Sequence, residues 1–280
     1  MRVRRAVPGE ACLVAAQIRA GLPAPLLPLT IWQQPGVCRY VEQALRERGS
    51  GACAYYLLVE DDGEAAGIVE FRRNGDEAVL NQISIAPQWR GRSLGRLLLR
   101  EAALDFLSSH AIETVLLDVD PANLPAYRWY RRLGFEPQGG SYWHVAPLSA
   151  AGTATGSIAG LAEADAMHRE FGFSQILIET ARQRYEIGRL GQEYFRLKED
   201  AWRDPGVHTA LRHLDASRSI LLLASQPIEP LAVVHHIVRL RTASVSLCLG
   251  LIHNGGGHKV SQAVDGFGGL ASVFGESRKS

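Results

Sequence analysis

Ile83-Ser-Ile-Ala-Pro-Gln-Trp-Arg-Gly-Arg-Ser-Leu-Gly-Arg-Leu-Leu-Leu99 joins an apolar strand to a helix through a short basic turn that contains glycine. A strand, a tight turn and a helix start together make a place where anions bind. First-turn amides have no partner inside their own helix, and the helix dipole puts its positive end there. The stretch points to a ligand that carries phosphate. Arg90, Arg92, Arg96 and Arg100 crowd the start of this helix. That distribution draws a polyphosphate, and it is also what a solvated helix face displays.

The spacing Arg90-x-x-Ser93-x-Gly95, with Pro87 before it and Leu97, Leu98 and Leu99 after it, resembles the acetyl-CoA loop of the GCN5-related N-acetyltransferase (GNAT) family. The departure is Ser93, where the family more often has glycine; if that position needs a positive φ, serine strains the loop. A second segment, Leu117-Asp-Val-Asp-Pro-Ala-Asn-Leu-Pro-Ala-Tyr-Arg-Trp-Tyr-Arg-Arg-Leu-Gly-Phe135, resembles the family's fifth strand and following helix. Asn123, Ala126, Tyr130 and Gly134-Phe135 fall in family spacing. Two motifs in family order, about 25 residues apart, specify more than either alone.

The resemblance implies an α/β (α+β) fold over residues 1–148: a mixed, mostly antiparallel central sheet flanked by helices. It implies acetyl-CoA as co-substrate, with direct attack by an amine acceptor and no acyl-enzyme. Backbone groups around Ile83 and Ile85 would hold the thioester carbonyl and the pantetheine arm, their side chains being core. Amides of Arg90, Gly91, Arg92, Ser93, Leu94, Gly95 and Arg96 would hold the pyrophosphate. Asn123 would meet pantetheine or cap the helix after it. Tyr130 would protonate the departing thiolate, a task suited to an unperturbed phenol, or else pack its helix on the sheet. Asp118 aligns with the family's fifth-strand general base; pairing with a nearby arginine is the rival reading of a carboxylate among Leu116, Leu117 and Val119. Glu70 is a further base candidate, and Trp32, Tyr40 and Tyr142 are acceptor-pocket or core aromatics.

A chain of 280 residues favours two domains. Its 30 basic and 29 acidic residues give no sign of a nucleic-acid partner or an anionic membrane surface. Cys12, Cys38, Cys53 and Cys248 lack metal-ligand or redox spacing, the first ten residues lack an apolar signal core, and no run is long enough to span a bilayer. A cytoplasmic location, no membrane contact and no metal are expected, with a homodimer through an exposed sheet edge as an option. His235 and His236 alternate across a strand and cannot share one ion; with His253 and His258 they show no ligand spacing.

Period and turn chemistry predict strands near 3–7, 54–60, 65–72, 78–86, 114–119 and 141–145. Helices are expected over 10–20, 37–48 and 125–133, and after the Arg90 turn, where Leu94, Leu98, Ala102 and Phe106 share a face. Asp61-Asp-Gly63 and Asn74-Gly75-Asp76 read as tight turns. Residues 149–157 read as a linker, and 158–280 as a second, smaller α+β domain. There a strand enters a helix that continues through Leu197, followed by strands at 219–224, 231–240 and 244–252. This order repeats the opening of the first half, as an incomplete GNAT-like half. A second cofactor loop would fall at 254–263, which lacks the arginine and the leucines; its Gly255-Gly-Gly257 run is a phosphate cradle or a flexible loop.

Two rival functions remain at this level. A protein that binds acyl-CoA without transferring would explain Ser93 and the missing second loop. An acyltransferase using another thioester or a hydroxyl acceptor would differ only in the shape of its pocket.

Overall fold

In a computed structural model, which describes residues 1–47, 52–60, 63–149 and 153–253, β1 (Arg2–Arg5), α1 (Ala11–Gly21) and α2 (Val37–Arg46) lead into three strands. These are β2 (Cys53–Val59), β3 (Ala65–Asn74) and β4 (Glu77–Ile85). They bury most of their length, the polar Glu70, Asn81, Gln82 and Ser84 included. The reason is a helix on each face. On one, α3 (Leu94–Ser109) buries Leu98, Ala102 and Phe106, and Phe106 stacks on Phe71 with ring centroids 5.1 Å apart. On the other, Ser84 of β4 donates to the Gln17 carbonyl of α1 at 3.2 Å. β5 (Thr114–Val119), α4 (Leu124–Arg132) and β6 (Glu136–Ala146) follow. Asn74 and Glu77 end the paired strands on either side of Gly75, whose φ of 65° makes the expected turn. Asp61 and Asp62 lie outside the described residues.

The next elements are β7 (Gly156–Ala159), α5 (Leu161–Phe171), β8 (Phe173–Thr180), β9 (Arg184–Leu190) and β10 (Tyr194–Lys198). After them come α6 (Glu199–Trp202), α7 (Pro205–Asp215), β11 (Ser219–Ala224), β12 (Val233–Ala243) and α8 (Ser244–His253). Two expectations fail here. The helix expected through Leu197 ends at Phe171, and three strands replace its remainder; over its first four residues β9 buries Tyr185 and Ile187 and exposes Arg184 and Glu186, a period of two. The strand expected at 244–252 is α8, which buries Leu247 and Leu251 at helical spacing.

Two compact units result: Met1–Ala24, Cys38–Gly139 and the chain from Ile237 form the first; Pro25–Val37 and Gly140–His236 form the second. The units do not divide at 148. Ser149 and the described part of 153–157 belong to the second unit, and 150–152 lie outside the described residues. The first sheet runs β1-β2-β3-β4-β5-β12, antiparallel except that β4 and β5 are parallel. The second runs β7-β8-β9-β10-β11-β6 with the same sequence of pairings, β10 and β11 being its parallel pair. Strand order thus repeats. The closing strand of each sheet is exchanged: β12 comes from beyond β11, and β6 from before β7.

Each unit has its own buried cluster. Phe71, Phe106, Leu117, Tyr130 and Phe135 anchor the first, and Ile178, Ile187, Phe195, Val207 and Ile220 the second.

Candidate active site

β4 and β5 pair only from Glu77–Thr114 to Leu80–Leu117, although β4 runs on to Ile85 and β5 to Val119. Beyond that register the strands part, and the edge of β4 facing the opening presents backbone groups around Ile83 and Ile85. Their side chains are buried in the core, as the sequence indicates. A register shift in the β3–β4 pairing, which skips Asn81, marks where β4 departs.

Pro87–Trp89 form one 3₁₀ turn, and the chain enters α3 through Gly91 (φ 75°) and Ser93 (φ 60°, ψ 13°). Ser93 is left-handed and makes no side-chain cap bond. The position does require the conformation that glycine tolerates, and serine holds it at a cost of about 1 kcal/mol. Amides of Arg96 and Leu97 turn to the Ser93 carbonyl at 3.2 and 3.3 Å. Gly95 is buried in the first turn, and Leu94 packs on the core. The four arginines take separate partners. Arg90 donates Nε–H to the Ile85 carbonyl at 2.9 Å, and Arg92 lies 4.8 Å over the Trp89 ring. Arg100 pairs with Glu101 at 2.8 Å. Arg96 reaches the carbonyls of Gly250 and Leu251.

Asn123 caps α4, its Oδ1 accepting the Ala126 amide at 3.2 Å. About two turns on, the Tyr130 ring packs edge-on to Phe135 at 5.8 Å within the cluster that holds Ile83 and Val119. The ring is fully buried, and its hydroxyl has no hydrogen-bond partner among the described residues. Burial pushes the phenol up, so it is a neutral proton donor. A buried hydroxyl without a partner costs roughly 1–3 kcal/mol, which a ligand atom beside it would recover.

Asp118, 2% exposed, faces Arg239 of β12 in register and accepts both Nε–H and Nη2–H at 2.8 Å. The bidentate pair occupies both carboxylate oxygens, as the arginine reading requires. Glu70 is likewise committed. It accepts from Arg72 Nε and Asn81 Nδ2 at 2.7 Å each and from Cys53 Sγ at 3.6 Å, and Arg72 approaches Tyr40 Oη at 3.4 Å. Burial, with Glu70 beside it, pushes the Cys53 thiol up to about 12. Gln82, next to Asn81 and buried, keeps its Nε2 unpartnered among the described residues.

Trp32 and Tyr142 fall in the second unit, where Tyr142 stacks on His236 at 4.2 Å and His235 meets Trp143 edge-on at 5.3 Å. Among the described residues no three His, Cys, Asp or Glu gather as metal ligands. No described helix is long and apolar enough to cross a membrane.

In the second unit the counterpart of the Arg90 turn is the connection from β10 to α7, not 254–263, because strands replace the expected helix and shift the order of elements. Residues 254–263 lie outside the described residues. At the head of α7, buried Asp204 accepts the Gly206 amide and the Thr180 hydroxyl at 2.8 Å and the Tyr185 hydroxyl at 3.0 Å. Burial opposes its charge, but these bonds outweigh that and hold its pKa low. A carboxylate thus fills the helix start that the first unit leaves to Ser93, and it repels phosphate.

Sequence reading missed Arg239, Gln82 and the engagement of Arg96. The available signal for Arg239 was a charge within an apolar strand, which needs a partner.

Residues 28–135 match the model of the "Acetyltransferase (GNAT) family". A Bacillus subtilis protein named as a ribosomal protein bS18 alanine N-acetyltransferase is 35% identical over 86 residues, 31% of this chain and 56% of that protein. A mycothiol acetyltransferase of Thermobifida fusca is 39% identical over 92 residues, 32% of this chain and 27% of that one. The chain therefore spans about half the first relative and about a quarter of the second. The crystal structure of a GCN5-related N-acetyltransferase from Sphaerobacter thermophilus shares the fold, with a TM-score of 0.53 at 15% identity over 87% of this chain and 95% of that one. The stretch that matches this family model is the one that holds the parted strands and the left-handed turn at Ser93.

Proposed function

We propose that the protein is an N-acetyltransferase that moves an acetyl group from acetyl-CoA directly to an amine, with its chemistry in the first unit. The observation that carries this reading is the opening between β4 and β5 together with a buried, unpartnered Tyr130 hydroxyl. Acetyl-CoA, when bound, supplies the activated thioester.

The chain's own groups divide the work. First-turn amides of α3 and the turn from Gly91 to Ser93 bind pyrophosphate. Backbone N–H groups on the open edge of β4 stabilise charge on the carbonyl oxygen, a contribution of roughly 3 kcal/mol per donor in enzymes that work this way. Tyr130 gives its proton to the departing thiolate. The amine enters neutral and attacks the carbonyl carbon as the carbon–sulfur bond breaks; the proton its nitrogen sheds on forming the amide restores the Tyr130 phenol, while Asp118 stays bound to Arg239.

Titration of the full chain with acetyl-CoA, then thiol release with a panel of amines, tests the proposal. Binding that Gly95→Glu abolishes, with thiol release that depends on an amine, supports it. Absence of binding overturns it, and binding without release under any amine favours the non-transferring sensor.

A further inference from the structure

Two thiols of the first unit meet although no sequence spacing links their cysteines. Gly9, just ahead of α1, donates its amide to Glu42 Oε2 of α2 at 2.8 Å. Cys12 lies about one turn further along α1, and Cys38 about one turn back along α2. The two helices thus pass each other in opposite senses at this place, and the Cys12 and Cys38 thiols share a hydrogen bond. Cys12 is exposed and Cys38 half-buried, so a small reagent reaches the pair. Cys53 differs, because its thiol is buried beside Glu70 on β2. Gln17 already fixes α1 to the sheet: its Nε2 donates to the Ala65 carbonyl at 3.1 Å, and its own carbonyl accepts from Ser84 at 3.2 Å. On α2, Tyr40 Oη accepts from Arg72 at 3.4 Å.

We propose that Cys12 and Cys38 form a reversible disulfide that staples α1 to α2, with a small-molecule disulfide such as oxidised glutathione as the oxidant. Burial first, and the bond to Cys12 second, push the Cys38 thiol up, which leaves the opening attack to the exposed Cys12. Cys12 Sγ attacks one sulfur of the reagent and forms a mixed disulfide, and the first reagent thiol leaves with the proton that Cys12 gave up. Cys38 Sγ then attacks the Cys12 sulfur, the Sγ–Sγ bond forms, and the second reagent thiol leaves with the Cys38 proton. Two protein thiols are oxidised and one reagent disulfide is reduced to two thiols. The bridge closes a loop whose ends, α1 and α2, belong to the first unit while Pro25–Val37 between them belongs to the second. Closing so long a loop restricts the unfolded chain and thereby stabilises the folded one. It also fastens α2, with Tyr40, to a helix that the sheet already holds.

The test treats the folded full chain with oxidised glutathione, alkylates the remaining thiols and maps the tryptic peptides. Cleavage after Arg19 parts the two cysteines, so a bridge joins peptides that otherwise separate. A linked Cys12–Cys38 pair is expected, with a melting temperature about 5 °C above that of the reduced chain. Dithiothreitol is expected to reverse both, and Cys12→Ser to show neither. Separate glutathione adducts on the two cysteines, no reaction at either, or a link to Cys53 or Cys248 in its place overturns the proposal. A linked pair that leaves the melting temperature unchanged or lower overturns it as well. The peptide map and the melting curve of the wild type decide the matter even if the serine variant does not fold, and neither depends on the acetyl-CoA reading.

Discussion

Asp118 and Arg239 lie opposite each other on β5 and β12, and the guanidinium closes on both carboxylate oxygens at 2.8 Å. The carboxylate is 2% exposed, and the arginine side chain is 35% exposed. Removing Arg239 strands a buried charge at the mouth of the site. Arg239→Ala is expected to lower stability by roughly 2 kcal/mol, less than for a fully buried pair because water reaches the arginine. Urea unfolding checks it. Asp118→Asn is expected to change stability by a similar amount and to leave the pH profile of kcat/KM in place; loss of its acidic limb would instead identify a base.

Tyr130→Phe separates catalysis from packing. The hydroxyl has no partner to lose among the described residues, so melting temperature is expected to hold or to rise by a few degrees, as when an unsatisfied buried polar group is deleted. The rate is expected to fall by about 10²-fold with little change in the KM for acetyl-CoA, the mark of a group used only in the transition state. Calorimetry and steady-state kinetics on one preparation read both.

Ser93→Gly relieves a left-handed serine. Stability is expected to rise by about 1 kcal/mol in urea unfolding, with tighter acetyl-CoA binding in calorimetry, because the turn is then relaxed in the conformation the ligand needs. Gly91→Ala, at φ 75° with open space around it, is expected to do the reverse through backbone strain alone.

His168 makes the second unit sensitive to acid. Burial, aided by Arg189 and Arg218, lowers its pKa to about 4 from the usual 6.5. The folded chain therefore holds it neutral where the unfolded chain protonates it, and stability drops as pH falls from about 6.5 to about 4, with no further change below that. His168→Gln, still able to accept from Arg218, is expected to flatten that part of the curve in urea unfolding at stepped pH.

Much of the first unit was legible because its signals are local. Strand ends, the turn at Gly75 and the helix begun at Leu94 follow from residues within a few positions of one another, and the strain at Ser93 follows from chirality. The second unit was read less well. Residues 173–198 are rich in Arg, Gln and Glu, which helices favour, and their period of two emerges only once neighbouring strands cover alternate positions. Ser244–His253 is an apolar run that suits a buried strand or a buried helix equally, and packing between α3 and α4 decided for the helix. Asp118 left two readings open because its partner lies 121 residues away, beyond any local pattern.

The exchanged closing strands give the chain an order of events. A ribosome that has made residues 1–148 has made every loop and side chain assigned here to acetyl transfer, yet β5 still lacks the neighbour that covers its edge and holds Asp118. That neighbour and α8 are the last described elements to be synthesised. The first sheet of pairings therefore waits for β12 before it is complete, and a chain that stops short of β12 exposes an unpaired strand edge, the form most open to aggregation and proteolysis.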